Sequence, residues 1–215
     1  FSALRWSSPF FYAPRAFLQM PWVIGLITLA ELSAVVYLLA RSLSIRHVLG
    51  QLLLSAVVIT FPSVICFHNY GNVDLYTGPL LLSIAAAVLA NRKGFWNALF
   101  AVLLLCLSLG TYQAFVSMTA SLMLLFLLQD LLIRRSTARL AVRKGLKFIA
   151  VLAASVILYY LVYRIFSHFS DASGVTGYRS EDQLGHFSPA ELLQWLWETY
   201  KTVFYYMIPT SHSLY

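Results

Sequence analysis

Between Phe95 and Ile133 the chain runs for 39 residues with one charged side chain, Asp130. As a single helix rising 1.5 Å per residue, that run would be about 58 Å long. The hydrocarbon layer of a bilayer is roughly 30 Å thick, so one crossing cannot use it up. The run must fold back once, and the polar tetrapeptide Gly110-Thr111-Tyr112-Gln113 lies close to its middle. Two spans follow, at 95–110 and 113–133, joined by a tight polar turn.

Further apolar stretches of spanning or near-spanning length cover 23–40, 48–67, 75–90 and 148–166. Across the chain 60% of the residues are hydrophobic and 11% charged, whereas soluble domains carry roughly 25% charged residues. So few charges cannot cover a water-facing surface. The expected fold class is all-α: a polytopic integral membrane protein of about six transmembrane helices, in one domain over residues 1–215.

Short Lys- and Arg-rich loops stay on the cytoplasmic side of a membrane. Arg41 and Arg46 follow the first span, Arg92 and Lys93 the third, and Arg134, Arg135, Arg139, Arg143, Lys144 and Lys147 the fifth. Those loops are expected inside. Alternation then puts His68 to Asp74, the Gly110 to Gln113 turn and everything after about Ser167 outside, and the first two of these segments hold no Lys or Arg.

An outer polar loop is expected at 167–189. Ser188-Pro189-Ala190-Glu191 then has the residues of a helix start, with a hydroxyl N-cap, Pro at the first helical position and an early acid. The following segment, 190–208, carries Trp195, Trp197, Tyr200, Tyr205 and Tyr206, which suits a helix lying in or entering the outer interface. Phe1 to Met20, with Trp6, Phe10, Phe11 and Tyr12, reads as a second outer interfacial segment. The chain has no initiator Met and no signal-peptide pattern, so it is open to being a piece of a longer protein.

The formal charge of +7 is dispersed in links between apolar runs; nucleic acid is not the expected partner, and membrane lipids are. Cys66 and Cys106 lie inside apolar runs and act as small hydrophobes. The five histidines lack metal-ligand spacing. No cofactor is implied, although a divalent cation stays open. Walker, GxSxG and GxGxxG motifs are absent from the sequence, which argues against a nucleotide-driven pump or a serine hydrolase.

The candidate chemistry lies on the outer side. His68, Asn69, Asp74 and Tyr76 share one outer link. Asp74 there either serves as a general base or ligand group, or caps the third span. Tyr112 and Gln113 offer a hydroxyl and an amide to a hydroxyl-rich ligand, or simply build the turn. Arg5, Arg15, Arg179 and Lys201 are the outer cations, able to hold a lipid phosphate. Glu31 sits near the middle of the first span, where an ionisable group is costly and points to function. It opens a competing reading, a transporter or flippase for a lipid-linked glycan or small solute.

The stretches VDLYTGPLLLSIAAAVLANRK and LLLCLSLGTYQAFVSMTASLMLLFLLQDLL resemble the bacterial membrane glucosyltransferases that decorate O-antigen and related surface glycans. Asp74 and Tyr76 open one span, a short basic turn follows, and the next span ends in Gly110-Thr111-Tyr112-Gln113-Ala114. The resemblance implies a GT-C-like fold in the bacterial inner membrane, with its active face periplasmic or extracellular. It further implies a polyprenyl-phosphate-linked glucose donor and a glycan or lipid-linked glycan acceptor. Such enzymes usually carry their catalytic carboxylate in the first outer loop, and Phe1 to Met20 contains no Asp or Glu. The main acid would then lie upstream of Phe1. Within the chain the catalytic candidate is Asp74, with Asp171, Glu181 and Asp182 behind it, and His68, Asn69, Tyr76, Tyr112, Gln113 and Arg15 are the expected substrate-binding residues.

Overall fold

The computed structural model describes residues 5–15, 20–60, 64, 73–133, 137–169, 194 and 197–202. Every regular element among them is a helix, as the apolar blocks require, and none is a strand. The chain divides into two compact units, Phe1–Asp171 and Ala172–Tyr215. In the second, residues 197–202 are helical, and Thr202 Oγ1 donates to the Glu198 carbonyl at 2.8 Å. Residues 167–169, expected to begin the outer loop 167–189, are helical; the rest of that loop, the expected helix start at Ser188 to Glu191 and most of 190–208 lie outside the described residues.

The first unit holds α1 (Ser8–Tyr12), a 3-10 turn (Ala13–Arg15), α2 (Pro21–Ser42), α3 (Val48–Thr60), α4 (Asp74–Asn91), α5 (Phe95–Leu109), α6 (Phe115–Leu132) and α7 (Ala138–Phe169). The 39-residue apolar run does fold back: α5 stops at Leu109 and α6 starts at Phe115. Helices α2, α4, α6 and α7 are long and apolar enough to cross a membrane, while α3 and α5, of 13 and 15 residues, are apolar but shorter. The expected span 48–67 extends past α3 into residues of which only Val64 is described.

Helix α4 is the hub, packing against α1, α2, α5, α6 and α7. Its sequence explains this. Ser83, Ala86 and Ala87 are fully buried and Ala90 nearly so. Lipid tails are as apolar as Leu, so helices gain little by hiding Leu from them; small residues allow backbones to approach, and dispersion and hydrogen bonds then hold them. Ser108 Oγ of α5 donates to the Pro79 carbonyl at 2.8 Å, and Thr119 Oγ1 of α6 donates to the Ser83 carbonyl at 3.2 Å. The outer surface is the inverse: Leu26, Leu29, Leu52, Leu53, Ile149 and Ile157 are exposed, as expected where the solvent is hydrocarbon.

The α4–α5 turn depends on Gly94, whose φ of 110° is left-handed and disfavours any residue with a Cβ. Lys147 of α7 closes this turn, donating from Nζ to the carbonyls of Ala90 at 2.8 Å and Arg92 at 2.6 Å. Carbonyls at a helix C-terminus lack intrahelical donors, and an ammonium supplies them.

Candidate functional site

At the opposite end of the unit, the start of α4 meets the α5–α6 fold-back and the segment 5–15. Asp74, Thr77 and Gly78 are spaced i, i+3, i+4 and so share one face of α4. Asp74 is 1% exposed and Thr77 is fully buried. The N-cap of α4 is Val73, and Asp74 stands in the first helical turn, where a carboxylate is favoured by the helix dipole. Thr77 Oγ1 donates to Glu31 Oε2 of α2 and reaches the Val73 carbonyl at 3.3 Å. Glu31, half-buried, thus enters the same cluster as Asp74.

Two glycines seat the segment 5–15. A Cβ on Gly78 would stand 2.5 Å from Phe11 Cδ1 and 2.9 Å from Glu31 Oε1. One on Gly110 would stand 2.6 Å from Trp6 Cε2 and 2.9 Å from Ser7 Oγ. Ser7 is fully buried. Its N–H donates to the Gly110 carbonyl at 3.2 Å, its Oγ donates to the Leu107 carbonyl at 2.8 Å, and that Oγ lies 2.5 Å from Thr111 Oγ1. The segment expected as a mere interfacial strip is therefore built into the end of the bundle.

Aromatic rings and a cation complete the site. Tyr76 and Tyr112 meet edge to face at 5.7 Å, and the Arg5 guanidinium lies over the Tyr112 ring at 5.9 Å. Gln113 Nε2 donates to Tyr159 Oη of α7 at 2.6 Å. The structure thus brings Tyr76 onto Tyr112, while Gln113, next in the chain, bonds α7, and Asp74 stands on a different face of α4 from Tyr76. His68 and Asn69 lie outside the described residues. Arg15 closes the 3-10 turn, and its side chain is likewise outside the description. Among the described residues no three His, Cys, Asp or Glu side chains gather as metal ligands.

Sequence reasoning did not place Ser7, Thr77, Thr111 or Tyr159 in the site; it named Arg5 among four outer cations and chose Arg15 of them as a binding residue. The i, i+3, i+4 spacing of Asp74, Thr77 and Gly78 was a usable signal for Thr77. Ser7 and Tyr159 left none, because each reaches its partner across more than forty residues of chain.

A family model described as Glucosyl transferase GtrII matches residues 4–211. The chain belongs to this family. Neither a curated protein nor a solved structure matches the chain. Membership in the GtrII family bears out the expected glucosyltransferase class and makes the protein a glycosyltransferase. The GtrII match spans the segment 5–15, the fold-back and α7; Arg5 of the first lies over Tyr112 of the second, and Tyr159 of the third accepts from Gln113.

Proposed function

We propose that this GtrII family member moves a glucosyl unit from a polyprenyl-phosphate donor to a surface glycan such as O-antigen, free or lipid-linked, at the outer face of a bacterial inner membrane. The observation that carries the site is the convergence of Tyr76, Tyr112, Gln113 and Arg5 beside the Asp74–Thr77–Glu31 cluster. It lies at the end away from the basic loops, where a positive-inside topology puts the outer face. The six-span, GT-C-like reading goes with it, α3 and α5 serving as the second and fourth spans.

In the reaction a carboxylate takes the proton of an acceptor hydroxyl, whose oxygen bonds to the anomeric carbon as the bond from that carbon to phosphate oxygen breaks. The leaving polyprenyl phosphate keeps the electron pair, and a cation offsets its charge. Asp74 is the candidate carboxylate within the chain, with an acid upstream of Phe1 as the main base if the protein extends that way. Arg5 is the candidate cation, with His68, Asn69 and Arg15 as further binding groups. Gln113 and the Tyr76 and Tyr112 hydroxyls suit sugar hydroxyls. An apolar groove of about 640 Å³, lined by Leu54, Val58, Leu80, Phe115 and Met118 with Tyr112 among its walls, suits the prenyl chain.

The test is glucose incorporation into surface glycan by Asp74→Asn and Gln113→Ala, with membrane insertion measured in parallel. Loss of roughly a hundredfold or more is expected for Asp74→Asn and a smaller loss for Gln113→Ala. Full activity in both would sink the site. The transporter reading built on Glu31 predicts instead pH-coupled flux with no new glycosidic bond; family membership favours transfer.

A further inference from the structure

The basic end holds a hollow of about 930 Å³, formed by the α4–α5 turn, the start of α5, Asp130 of α6 and the first turns of α7. Five cations line it, Arg92, Lys93, Arg143, Lys144 and Lys147, against the single carboxylate of Asp130. Two of the five are committed. Lys144 pairs with Asp130, and Lys147 is spent on the carbonyls of Ala90 and Arg92. Arg92, Lys93 and Arg143 are exposed, and among the described residues they have no carboxylate partner.

Charge asymmetry of this kind could be topology alone. Two further features of the hollow go beyond it. Its wall is amphipathic: the exposed side chains of Phe95 and Leu140 stand beside the cations, which suits a ligand with an anionic head and an apolar tail. Asn91 also lines it, and the Asn91 Oδ1 atom is buried without a hydrogen-bond partner. An amide oxygen does not attract phosphate; it needs a donor, such as a hydroxyl. Leaving it unmet costs free energy that a hydroxyl-bearing ligand would recover.

We infer that this hollow is a binding site for an anionic phospholipid whose head group carries both a phosphate and a free hydroxyl, of which phosphatidylglycerol is the simplest. The phosphate lies among Arg92, Lys93 and Arg143, the glycerol hydroxyl donates to Asn91, and the acyl chains run along Phe95 and Leu140. The lipid would tie the α4–α5 turn to α7 on the side away from the transfer site, so the inference does not rest on the chemistry proposed there.

The experiment is native mass spectrometry of the full chain in detergent, titrated with dioleoyl phosphatidylglycerol, phosphatidic acid and phosphatidylcholine, with inorganic phosphate as competitor. Phosphatidylglycerol should be retained at least about tenfold better than phosphatidylcholine. The combined Arg92→Gln, Lys93→Gln, Arg143→Gln variant should fall to the phosphatidylcholine level, and Asn91→Val should lose the preference over phosphatidic acid. Should the triple variant fail to fold, Arg143→Gln alone must weaken retention severalfold. Equal retention of the charged and zwitterionic lipids, or wild-type retention by the variants, would overturn the inference. Displacement by millimolar phosphate would overturn it too, by making the hollow a soluble-anion site.

Discussion

At the basic end of the helical unit the charges face outward, where Arg92, Lys93 and Arg143 remain exposed and Lys147 serves helix-terminal carbonyls. At the other end the polar groups are turned inward: Ser7 and Thr77 are fully buried, Asp74 nearly so, and Thr77 donates to Glu31. The difference teaches what each end is for. Outward charge sets orientation in the membrane and meets lipid head groups at little cost. Inward polarity in a low-dielectric interior is expensive unless every group is placed, and an ionisable group there points to function.

Substitutions at the two ends should therefore differ in kind. After Asp74→Asn, the largest effect is expected at Gly110→Ala, whose Cβ would stand 2.6 Å from Trp6. Overpacking costs about 1–3 kcal/mol. A shift of Arg5 against Tyr112 of even about 1 Å would cut transfer by roughly a hundredfold. Thermal unfolding in detergent and glucose incorporation measure the two parts; a fully active variant would mean that the segment 5–15 is not part of the site.

Glu31 comes next. Glu31→Gln keeps an acceptor for Thr77, so it should cost transfer little, whereas Glu31→Leu and Thr77→Val remove the bond that ties α4 to α2 and should cost about tenfold, with about 1 kcal/mol of stability. Thr77→Ser should restore activity. Were Gln as damaging as Leu, the charge itself would be functional and the transporter reading would return.

At the basic end, Lys147→Met should lower stability by about 1–2 kcal/mol by leaving two carbonyls without their donor, while transfer per folded molecule stays at the wild-type level. The smallest effect is expected for Asp130→Asn. Asn keeps a side-chain oxygen that can accept from Lys144 Nζ, so the hydrogen bond survives and only the charge is lost. A collapse of transfer in either variant would break the division between the ends.

Much of this was legible without coordinates. The fold-back at Gly110 follows from length alone, and the placement of Asp74, Tyr76, Tyr112 and Gln113 on one side follows from counting spans between basic loops. The partners were not legible. Gln113 meets Tyr159 and Ser7 meets Leu107 across long stretches of chain, and helical periodicity relates only neighbours three or four residues apart. Trp6 and Phe11 read as interfacial aromatics, because nothing local distinguishes a ring facing lipid from one seated on a glycine of another helix.

The sequence by itself determined that the chain is helical and apolar enough to span a bilayer, where its longest apolar run turns back, where its basic residues cluster, and which family its Gly-x-Tyr-Gln-Ala turn resembles. These properties depend on length, charge and order along the chain, each fixed before any helix meets another. Tertiary structure decided that α4 is the hub, that Arg5 covers Tyr112, and that Glu31 meets Thr77 on the face of α4 that carries Asp74. Those pairings depend on which small residues let two backbones approach, and only the packed bundle determines that distance.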